Sequence, residues 1–171
     1  MDLYIAYIET PLGELTVAST QKGLCLLDFE RTGTKYQQVA KEVGGKVIEK
    51  DNEHIALLKN ELQDYFSGNL QIFTVPLYFI GTDFQKKVWE ELVTIPYGKT
   101  ISYLTLAQNI GNPKAVRAVA NSNALNKISV IVPCHRVIGS NGTLTGYAGG
   151  LDKKKWLLDL ETKKHNLFSG V

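Results

Sequence analysis

The fold of the second half of this chain is decided by residues 82–124, which read TDFQKKVWEELVTIPYGKTISYLTLAQNIGNPKAVRAVANSNA. The opening Thr-Asp-Phe-Gln is the T-x-x-Q form of a capping box, and the apolar residues after it recur at helical spacing. Ser102 is placed to cap a short helix that ends near Gly111. Asn112-Pro113 predicts the N-cap and first residue of a further helix, which runs to about Ala124. Two short helices joined by a glycine turn predict a helix-turn-helix.

Charge is distributed unevenly around this stretch. Residues 1–80 hold 7 Lys and Arg against 11 Asp and Glu, whereas residues 81–171 hold 12 against 6. No carboxylate lies between Glu91 and Asp152. Chance or burial would explain such a window as well as a surface that approaches a polyanion, but the helix-turn-helix inside it favours nucleic acid. The basic residues of the window are Lys99, Lys114, Arg117, Lys127 and Arg136.

The first half predicts a small α/β scaffold domain over residues 1–80, followed by a mainly helical domain over 81–171. Its β-prone runs predict an antiparallel sheet, and its period of 3.6 in apolar residues predicts one clear amphipathic helix. No combination of residues in it is typical of catalysis. The predicted strands are 3–8, 15–29 and Lys46-Val47-Ile48, and the predicted helices are 36–42 and Asn52 to Phe66.

Composition places the chain among ordinary globular proteins. It has 171 residues, 44% of them hydrophobic and 21% charged. No run approaches the ~20 apolar residues of a membrane span, and the N-terminus MDLYIAYIET carries acids where a signal peptide would carry bases. We therefore expect a cytoplasmic protein without a membrane partner.

Cysteine and histidine usage argues against metal and cofactor chemistry. Cys25 lies in an apolar run and predicts a small buried hydrophobe. The three histidines are widely separated, and no Cys/His cluster has the spacing of a zinc site. The sequence thus predicts no metal and no cofactor. The histidines are His54, His135 and His165.

The remaining cysteine has a different environment. Residues 128–132 predict a buried strand that delivers Pro133-Cys134-His135-Arg136 at its end, followed by a glycine-rich loop. A thiol with a pKa of ~8.5 needs a base or positive charge to become a good nucleophile. Direct contact of the thiol with His135 is no more expected than a bridging water, and Glu161 is the nearest carboxylate free to orient that histidine. Cys134 could be inert core, but its neighbours favour a reactive nucleophile.

The run PCHRVIG, residues 133–139, resembles the active-site signature of the O6-alkylguanine-DNA alkyltransferases, the methylated-DNA–protein-cysteine methyltransferases. The resemblance extends over roughly residues 81–165, in order and in register. It implies a ribonuclease-H-like N-terminal domain and a winged-helix-like C-terminal domain. The other matching positions include Phe84-Gln85, Val88-Trp89, Ile95-Pro96-Tyr97-Gly98, Ser102-Tyr103, Arg117-Ala118-Val119, Asn126, Gly142, Tyr147, Gly149-Gly150, Lys155, Leu157-Leu158 and Glu161.

The resemblance implies direct repair of DNA in one step. Cys134 would take the alkyl group from O6-alkylguanine, and less efficiently from O4-alkylthymine, and would be consumed. His135 would deprotonate the thiol through a water, Glu161 would orient His135, and Asn126 would support the same network. Tyr103 would donate a proton to the guanine and help to rotate the nucleotide.

The resemblance also implies how a monomer would engage double-stranded DNA. The second helix would enter the minor groove, and Arg117 would fill the space left by the flipped base. This chain departs from the family pattern at Lys127, Ser122 and Ala148, which puts rates and adduct preference in question. The further DNA-binding residues implied are Ser102, Tyr103, Lys114, Asn121, Asn123, Lys127 and Arg136. The implied pocket residues are Val137, Tyr147, Ala148 and Gly149.

Three other functions fit parts of the sequence. Alkyltransferase-like proteins bind alkylated DNA without transfer, but they lack the cysteine that this chain has at position 134. A helix-turn-helix regulator could use that cysteine as an alkylation sensor, although such proteins usually carry a further domain. A Cys-His hydrolase would turn over and would not need an acid-free basic stretch.

Overall fold

The architecture comes from a computed structural model, which describes residues 1–147 and 149–162. The chain divides into two compact units, Met1–Ile80 and Gly81–Val171. Each unit has its own buried apolar residues, so each is described by itself.

The first unit contains a four-stranded mixed sheet in the order β3-β2-β1-β4. The first three strands form an antiparallel meander, as the sequence predicts. The fourth strand pairs parallel to β1, so the expectation of a purely antiparallel sheet is wrong there. The reason is that a crossover helix returns the chain to the far edge of the sheet. The strands are β1 (Leu3–Thr10), β2 (Gly13–Thr20), β3 (Gly23–Asp28) and β4 (Val47–Glu49).

Two helices complete the first unit. The crossover helix α1 (Thr34–Val43) packs Val39 and Ala40 into a cluster with residues of β1, β2 and β3. Helix α2 (Glu53–Phe66) contacts all three of those strands. Asn52 caps α2, and its side-chain oxygen accepts the Ile55 backbone N–H at 3.0 Å, as a helix N-cap does. The apolar residues that α2 buries are Ile55, Leu58, Leu62 and Tyr65.

The second unit contains four α-helices, one short 3-10 helix and two short parallel strands among its described residues. The predicted capping box is present. The Thr82 hydroxyl accepts the Gln85 backbone N–H at 3.1 Å, and the Gln85 side-chain Oε1 accepts the Thr82 backbone N–H at 3.0 Å. The buried indole of Trp89 donates to the Ser122 carbonyl at 2.8 Å, which ties the first of these helices to the third. The elements are α3 (Asp83–Val93), β5 (Ile101–Ser102), α4 (Tyr103–Asn109), α5 (Val116–Ala124), β6 (Val137–Ile138) and α6 (Leu151–Glu161).

The start of α5 differs from the prediction. Asn112-Pro113 forms a turn instead of a helix N-terminus, and the Ala115 N–H donates to the Asn112 carbonyl at 3.0 Å. Proline suits the second position of such a turn as well as the first turn of a helix. The first α5 hydrogen bond runs from Val119 to the Ala115 carbonyl. Lys114 therefore lies in the turn of the α4–α5 pair and not on its second helix.

The predicted strand at 128–132 is also wrong, although its aliphatic side chains are buried as expected. The segment is a series of turns, with Val132 donating to the Ile128 carbonyl at 3.1 Å and Val130 at φ 70°. Hydrophobicity alone does not separate a buried strand from a buried turn, because both exclude water from the same side chains. What differs is where the backbone hydrogen bonds go.

Two features are absent from the described residues. No helix within them is long and apolar enough to cross a membrane. No three His, Cys, Asp or Glu side chains in the part of the chain that the structure describes lie together as a metal-binding group would.

Candidate active site

Cys134 begins a short 3-10 helix, Cys134–Arg136, between the buried turns and β6. Its backbone N–H donates to the Val132 carbonyl at 2.8 Å, and its carbonyl accepts the Val137 N–H. Cys134 forms no disulfide with another described residue, and it is only 5% exposed. The Asn126 amide Nδ2 lies 3.2 Å from Sγ and can donate to it. A donor at the sulfur favours the thiolate over the thiol.

Asn126 also holds the turns that carry the cysteine. Its Nδ2 lies 2.9 Å from the Val132 carbonyl and 3.2 Å from the Ile128 carbonyl, and its Oδ1 accepts the Ile128 N–H at 3.0 Å. Both carbonyls also accept a backbone N–H within the turns, so the Asn126 side chain is their second donor and is the acceptor for the Ile128 N–H. Its loss would leave the buried Ile128 N–H without this acceptor, at about 1–3 kcal/mol.

His135 is fully buried and is hydrogen-bonded at one ring nitrogen only. Its Nε2 lies 2.7 Å from Glu161 Oε2, while Nδ1 has no hydrogen-bond partner among the described residues. Burial lowers the pKa of His135 below its usual 6.5, although the Glu161 hydrogen bond opposes the shift. A carboxylate can only accept, so the neutral ring carries its proton on Nε2. Nδ1 is then an unprotonated acceptor, which is the form a base requires.

Glu161, the last residue of α6, is held by charged donors. Arg136 Nε donates to Oε1 at 2.7 Å and Nη2 to Oε2 at 3.0 Å, in a bidentate pair. Burial alone would raise the pKa of Glu161, but His135 and Arg136 outweigh it and hold the pKa well below its usual range. The carboxylate therefore remains ionised beside the imidazole.

Arg136 does not have the surface position expected of a DNA-binding residue. It is 6% exposed, and its Nη1 donates to the Ile95 carbonyl at 2.6 Å in addition to the pair with Glu161. The guanidinium also lies 5.8 Å from the ring centroid of Tyr97. With its donors committed inside the unit, Arg136 fixes the carboxylate that orients His135.

The sequence analysis missed Lys154, which is fully buried on α6. Its ammonium donates to the Val137 carbonyl at 2.6 Å and to the Thr145 carbonyl at 2.7 Å. The resemblance marks its neighbour Lys155, which is exposed and pairs with Asp159 at 2.7 Å. Helical spacing could have identified Lys154, because it lies three and seven residues before the buried Leu157 and Glu161.

Tyr103 opens α4 beside the same loop. Its hydroxyl donates to the Thr145 carbonyl at 3.1 Å. Gly146 follows at φ 66°, and a Cβ there would lie 3.1 Å from the Tyr103 oxygen, so the loop passes close to the phenol because this residue is glycine. Of the other expected pocket residues, Val137 and Tyr147 are buried and Gly149 is half-buried. Ala148 lies outside the described residues.

The two faces of α5 separate the expected DNA-binding residues. Arg117 and Asn121 are exposed on one face. Asn123 lies with Val119 and Ser122 on the other face and is 2% exposed, so it is not available to DNA. The reason is the helical repeat, which places residue 123 four positions after the buried Val119.

The other expected DNA-binding positions vary in exposure. Lys114 is exposed in the turn, and Lys127 is half-buried. Ser102 is half-buried, and its hydroxyl accepts the Thr105 N–H at 3.0 Å as the N-cap of α4.

Comparison with known families and proteins extends over nearly the whole chain. The ribonuclease-like domain of 6-O-methylguanine DNA methyltransferase matches residues 3–79, and the DNA binding domain of the same family matches residues 83–163. The chain is 46% identical over 159 residues to a methylated-DNA–protein-cysteine methyltransferase of Methanosarcina acetivorans, covering 93% of this chain and 98% of the relative. A constitutive methyltransferase of that name from Bacillus subtilis is 42% identical over 159 residues, covering 92% and 94%.

Solved structures give the same result. The O6-methylguanine methyltransferase of Mycobacterium tuberculosis superposes with a TM-score of 0.82 at 39% identity, covering 97% of this chain and 99% of that one. A structure described as the Mycobacterium tuberculosis OGT in complex with DNA matches with a TM-score of 0.81 at 40% identity, covering 96% and 94%. The likeness therefore includes both units of this chain.

Proposed function

This chain belongs to the 6-O-methylguanine DNA methyltransferase family, and from that membership and the site geometry we propose how it acts. It repairs O6-alkylguanine in DNA by direct reversal, and it is a methylated-DNA–protein-cysteine methyltransferase that alkylates itself. The observation that carries the mechanism is a pair of buried contacts, one between the Asn126 amide and the Cys134 sulfur and one between His135 Nε2 and Glu161. They give the sulfur an amide donor and leave His135 Nδ1 without a partner among the described residues, so that it can accept a proton.

The transfer is a displacement at the alkyl carbon. The Cys134 thiolate forms the sulfur–carbon bond as the bond from carbon to guanine O6 breaks, and the electron pair stays on the guanine. The leaving guanine takes up a proton, which restores the normal nucleobase. The proton of the thiol has by then passed to His135. The thioether is stable, so each molecule acts once.

Activation of the thiol is assigned to His135. We place a water between the thiol and Nδ1, because Nδ1 has no partner among the described residues and the Sγ donor is the Asn126 amide. Glu161 Oε2 accepts a hydrogen bond from the Nε2–H at 2.7 Å, and its charge stabilises the imidazolium that forms during transfer. Arg136 keeps that carboxylate ionised and in place.

Tyr103 is assigned the proton that the leaving guanine needs. Its hydroxyl is half-exposed at the start of α4 and is held by one carbonyl, that of Thr145. The same residue would press on the rotated nucleotide. Val137, Tyr147, Ala148 and Gly149 would line the pocket, with Val137 acting through its backbone because its side chain is buried. O4-alkylthymine would be a poorer substrate.

DNA is the partner, and we propose its mode of binding. A monomer would bind double-stranded DNA through a winged-helix-like unit, with α5 in the minor groove. An alkylated atom inside a duplex is unreachable, so the nucleotide must leave the stack at a cost of a few kcal/mol. Arg117, exposed on α5 within a segment free of acids, would fill the gap. The sugar-phosphate backbone of the DNA would be contacted by Lys114, Asn121, Lys127 and Ser102 at the end of β5.

Intact mass measurement tests the reaction. The protein is incubated with a duplex that contains O6-methylguanine, and the modified peptide is then mapped. We expect a single methyl group on Cys134, restored guanine and no second turnover. Tight binding with unmodified protein would instead place the chain among the proteins that bind alkylated DNA without transfer.

Cys134→Ala is the matched control. Transfer should be abolished, while affinity for the duplex stays near that of the wild type, because the thiol is one small buried group and the proposed DNA contacts lie on α5 and the turn before it. A collapse of binding together with transfer would make Cys134 a structural residue.

Arg117→Ala tests the flipping role. Removing the side chain should slow repair in duplex DNA by about tenfold or more, from a flipping cost of a few kcal/mol, and should leave the reaction with free O6-benzylguanine near the wild-type rate. Equal losses on both substrates would refute the role.

A further inference from the structure

Lys154 is the one buried lysine among the described residues, and the proposed transfer does not use it. Its ammonium donates to the Val137 carbonyl at 2.6 Å and to the Thr145 carbonyl at 2.7 Å. A buried ammonium is costly unless its hydrogen bonds and charge are compensated. Two neutral carbonyls accept from two of its three N–H donors but supply no opposite charge.

Both carbonyls belong to segments that form the site. The Val137 N–H donates to the Cys134 carbonyl, so Lys154 reaches the cysteine segment through one residue. The Thr145 carbonyl also accepts the Tyr103 hydroxyl, so Lys154 and Tyr103 share an acceptor. The ammonium lies 6.0 Å from the centroid of the Tyr103 ring. One side chain thus joins the segment of the nucleophile to the loop beside the phenol.

We propose that Lys154 is a positioning residue for the transfer, which holds the Val137 and Thr145 segments together and places a buried positive charge near the Cys134 thiolate. The inference rests on the proposed alkyl transfer. The Lys154 ammonium would supply positive charge for the thiolate, because the charge of the Arg136 guanidinium is already paired with Glu161.

The electrostatics agree with this geometry. Burial lowers the pKa of Lys154 to about 8, and attraction to the Cys134 thiolate opposes that shift. Lys154 is therefore mostly protonated at neutral pH, and its charge also contributes to the lowered pKa of His135. An opposite charge that interacts with the sulfur favours the ionised thiol. The other titratable and charged groups on these segments are His135 and Arg136, which follow Cys134 in the chain, Glu161, which is bonded to both, and Tyr103, which shares the Thr145 carbonyl.

The test compares Lys154→Met, which removes the charge and both hydrogen bonds at similar length, with Lys154→Arg, which keeps the charge. Lys155→Met is the matched control on the exposed face of the same helix. Two measurements are made on each protein across pH: alkylation of Cys134 by iodoacetamide, mapped by peptide mass to separate it from Cys25, and single-turnover transfer from an O6-methylguanine duplex.

We expect the pH midpoint of iodoacetamide alkylation to rise by about one unit in Lys154→Met, with a fall in transfer at pH 7 of about tenfold. Lys154→Arg should keep the wild-type midpoint while transferring more slowly, and Lys155→Met should match the wild type in both. Lys154→Gln provides the neutral comparison if Lys154→Met does not fold, since an amide still donates to one carbonyl.

An unchanged midpoint in the folded neutral variant would overturn the inference, because a lysine that only supports the fold would not move the ionisation of the thiol. A different result is possible, in which the alkylation midpoint shifts in Lys154→Met but the wild-type protein takes up no methyl group from the duplex. That result would confirm that Lys154 favours the Cys134 thiolate and would refute the proposed transfer instead.

Discussion

Each unit of this protein buries one glutamate on a helix, and the two serve different purposes. Glu61 on α2 is 6% exposed, and its carboxylate accepts the Thr74 N–H, the Thr74 hydroxyl and the Val75 N–H at 2.9–3.1 Å. Glu161 on α6 is 3% exposed and accepts from His135, from Arg136 and, at 3.4 Å, from the Gly98 N–H.

The difference is in the donors. The partners of Glu61 are neutral groups that do not titrate, so its carboxylate can only fix the loop that it bonds. Glu161 is bonded to an imidazole whose second nitrogen is unprotonated, so its charge acts on a group that can accept a proton. A buried, fully bonded carboxylate therefore does not mark an active site, whereas a titratable partner beside it does.

The largest effect is expected for Glu161→Gln. The amide keeps the shape but loses the charge that orients His135 and pairs with Arg136. Transfer from an O6-methylguanine duplex should fall by about 100-fold or more, as for the loss of a general base. The free energy of unfolding should fall by about 3–5 kcal/mol, because Arg136 is left buried and unpaired. Single-turnover kinetics and urea unfolding measure the two losses, and wild-type kinetics in the folded variant would remove Glu161 from the mechanism.

A smaller effect is expected from acid. Since burial holds the pKa of His135 below 6.5, the ring stays neutral at pH 7, and the rate with free O6-benzylguanine should be level there. The rate should fall by at most tenfold per pH unit once the pH drops below the lowered pKa. The unfolded chain binds this proton first, near pH 6.5, so the free energy of unfolding should also begin to fall there. A rate midpoint above 6.5 would contradict a neutral, buried His135.

The smallest effect on transfer is expected for Glu61→Gln. The substitution should lower the free energy of unfolding by about 1–3 kcal/mol, because an amide cannot accept every bond that the carboxylate accepts. Transfer by the folded protein should remain within about twofold of the wild type. A large loss of transfer at full folding would show that the comparison between the two glutamates is wrong.

The features that the sequence predicted well are governed by neighbours along the chain. The capping box at Thr82 and Gln85, the N-cap at Ser102 and the helix capped by Asn52 all form where predicted. Each depends on hydrogen bonds that span three residues. The start of α5 was missed although it is also local, because Asn112-Pro113 suits a turn and a helix start equally.

Of the pairings between distant segments, the resemblance implied that of His135 with Glu161, which the structure contains, but the others were not predicted. The parallel pairing of β4 depends on the crossover through α1, and the turns at 128–132 depend on the Asn126 side chain. Arg136 was expected to bind DNA as one of the basic residues of the acid-free window, and its pairing with Glu161, 25 residues away, was not predicted. Lys154 gave no signal beyond its helical spacing.

The sequence by itself therefore identified the family and the order of the helices, and it singled out Cys134 as the candidate nucleophile, because the PCHRVIG run and the local helix caps can be recognised without knowing which distant residues they contact. Only the tertiary structure decided which polar groups are buried together. In the folded chain His135 is buried, with no partner at Nδ1 among the described residues, and Arg136 is paired with Glu161. Lys154 donates to two carbonyls, one of them on the segment that follows Cys134. The physical reason is that burial and charge pairing are properties of the space around a residue, and distant parts of the chain create that space.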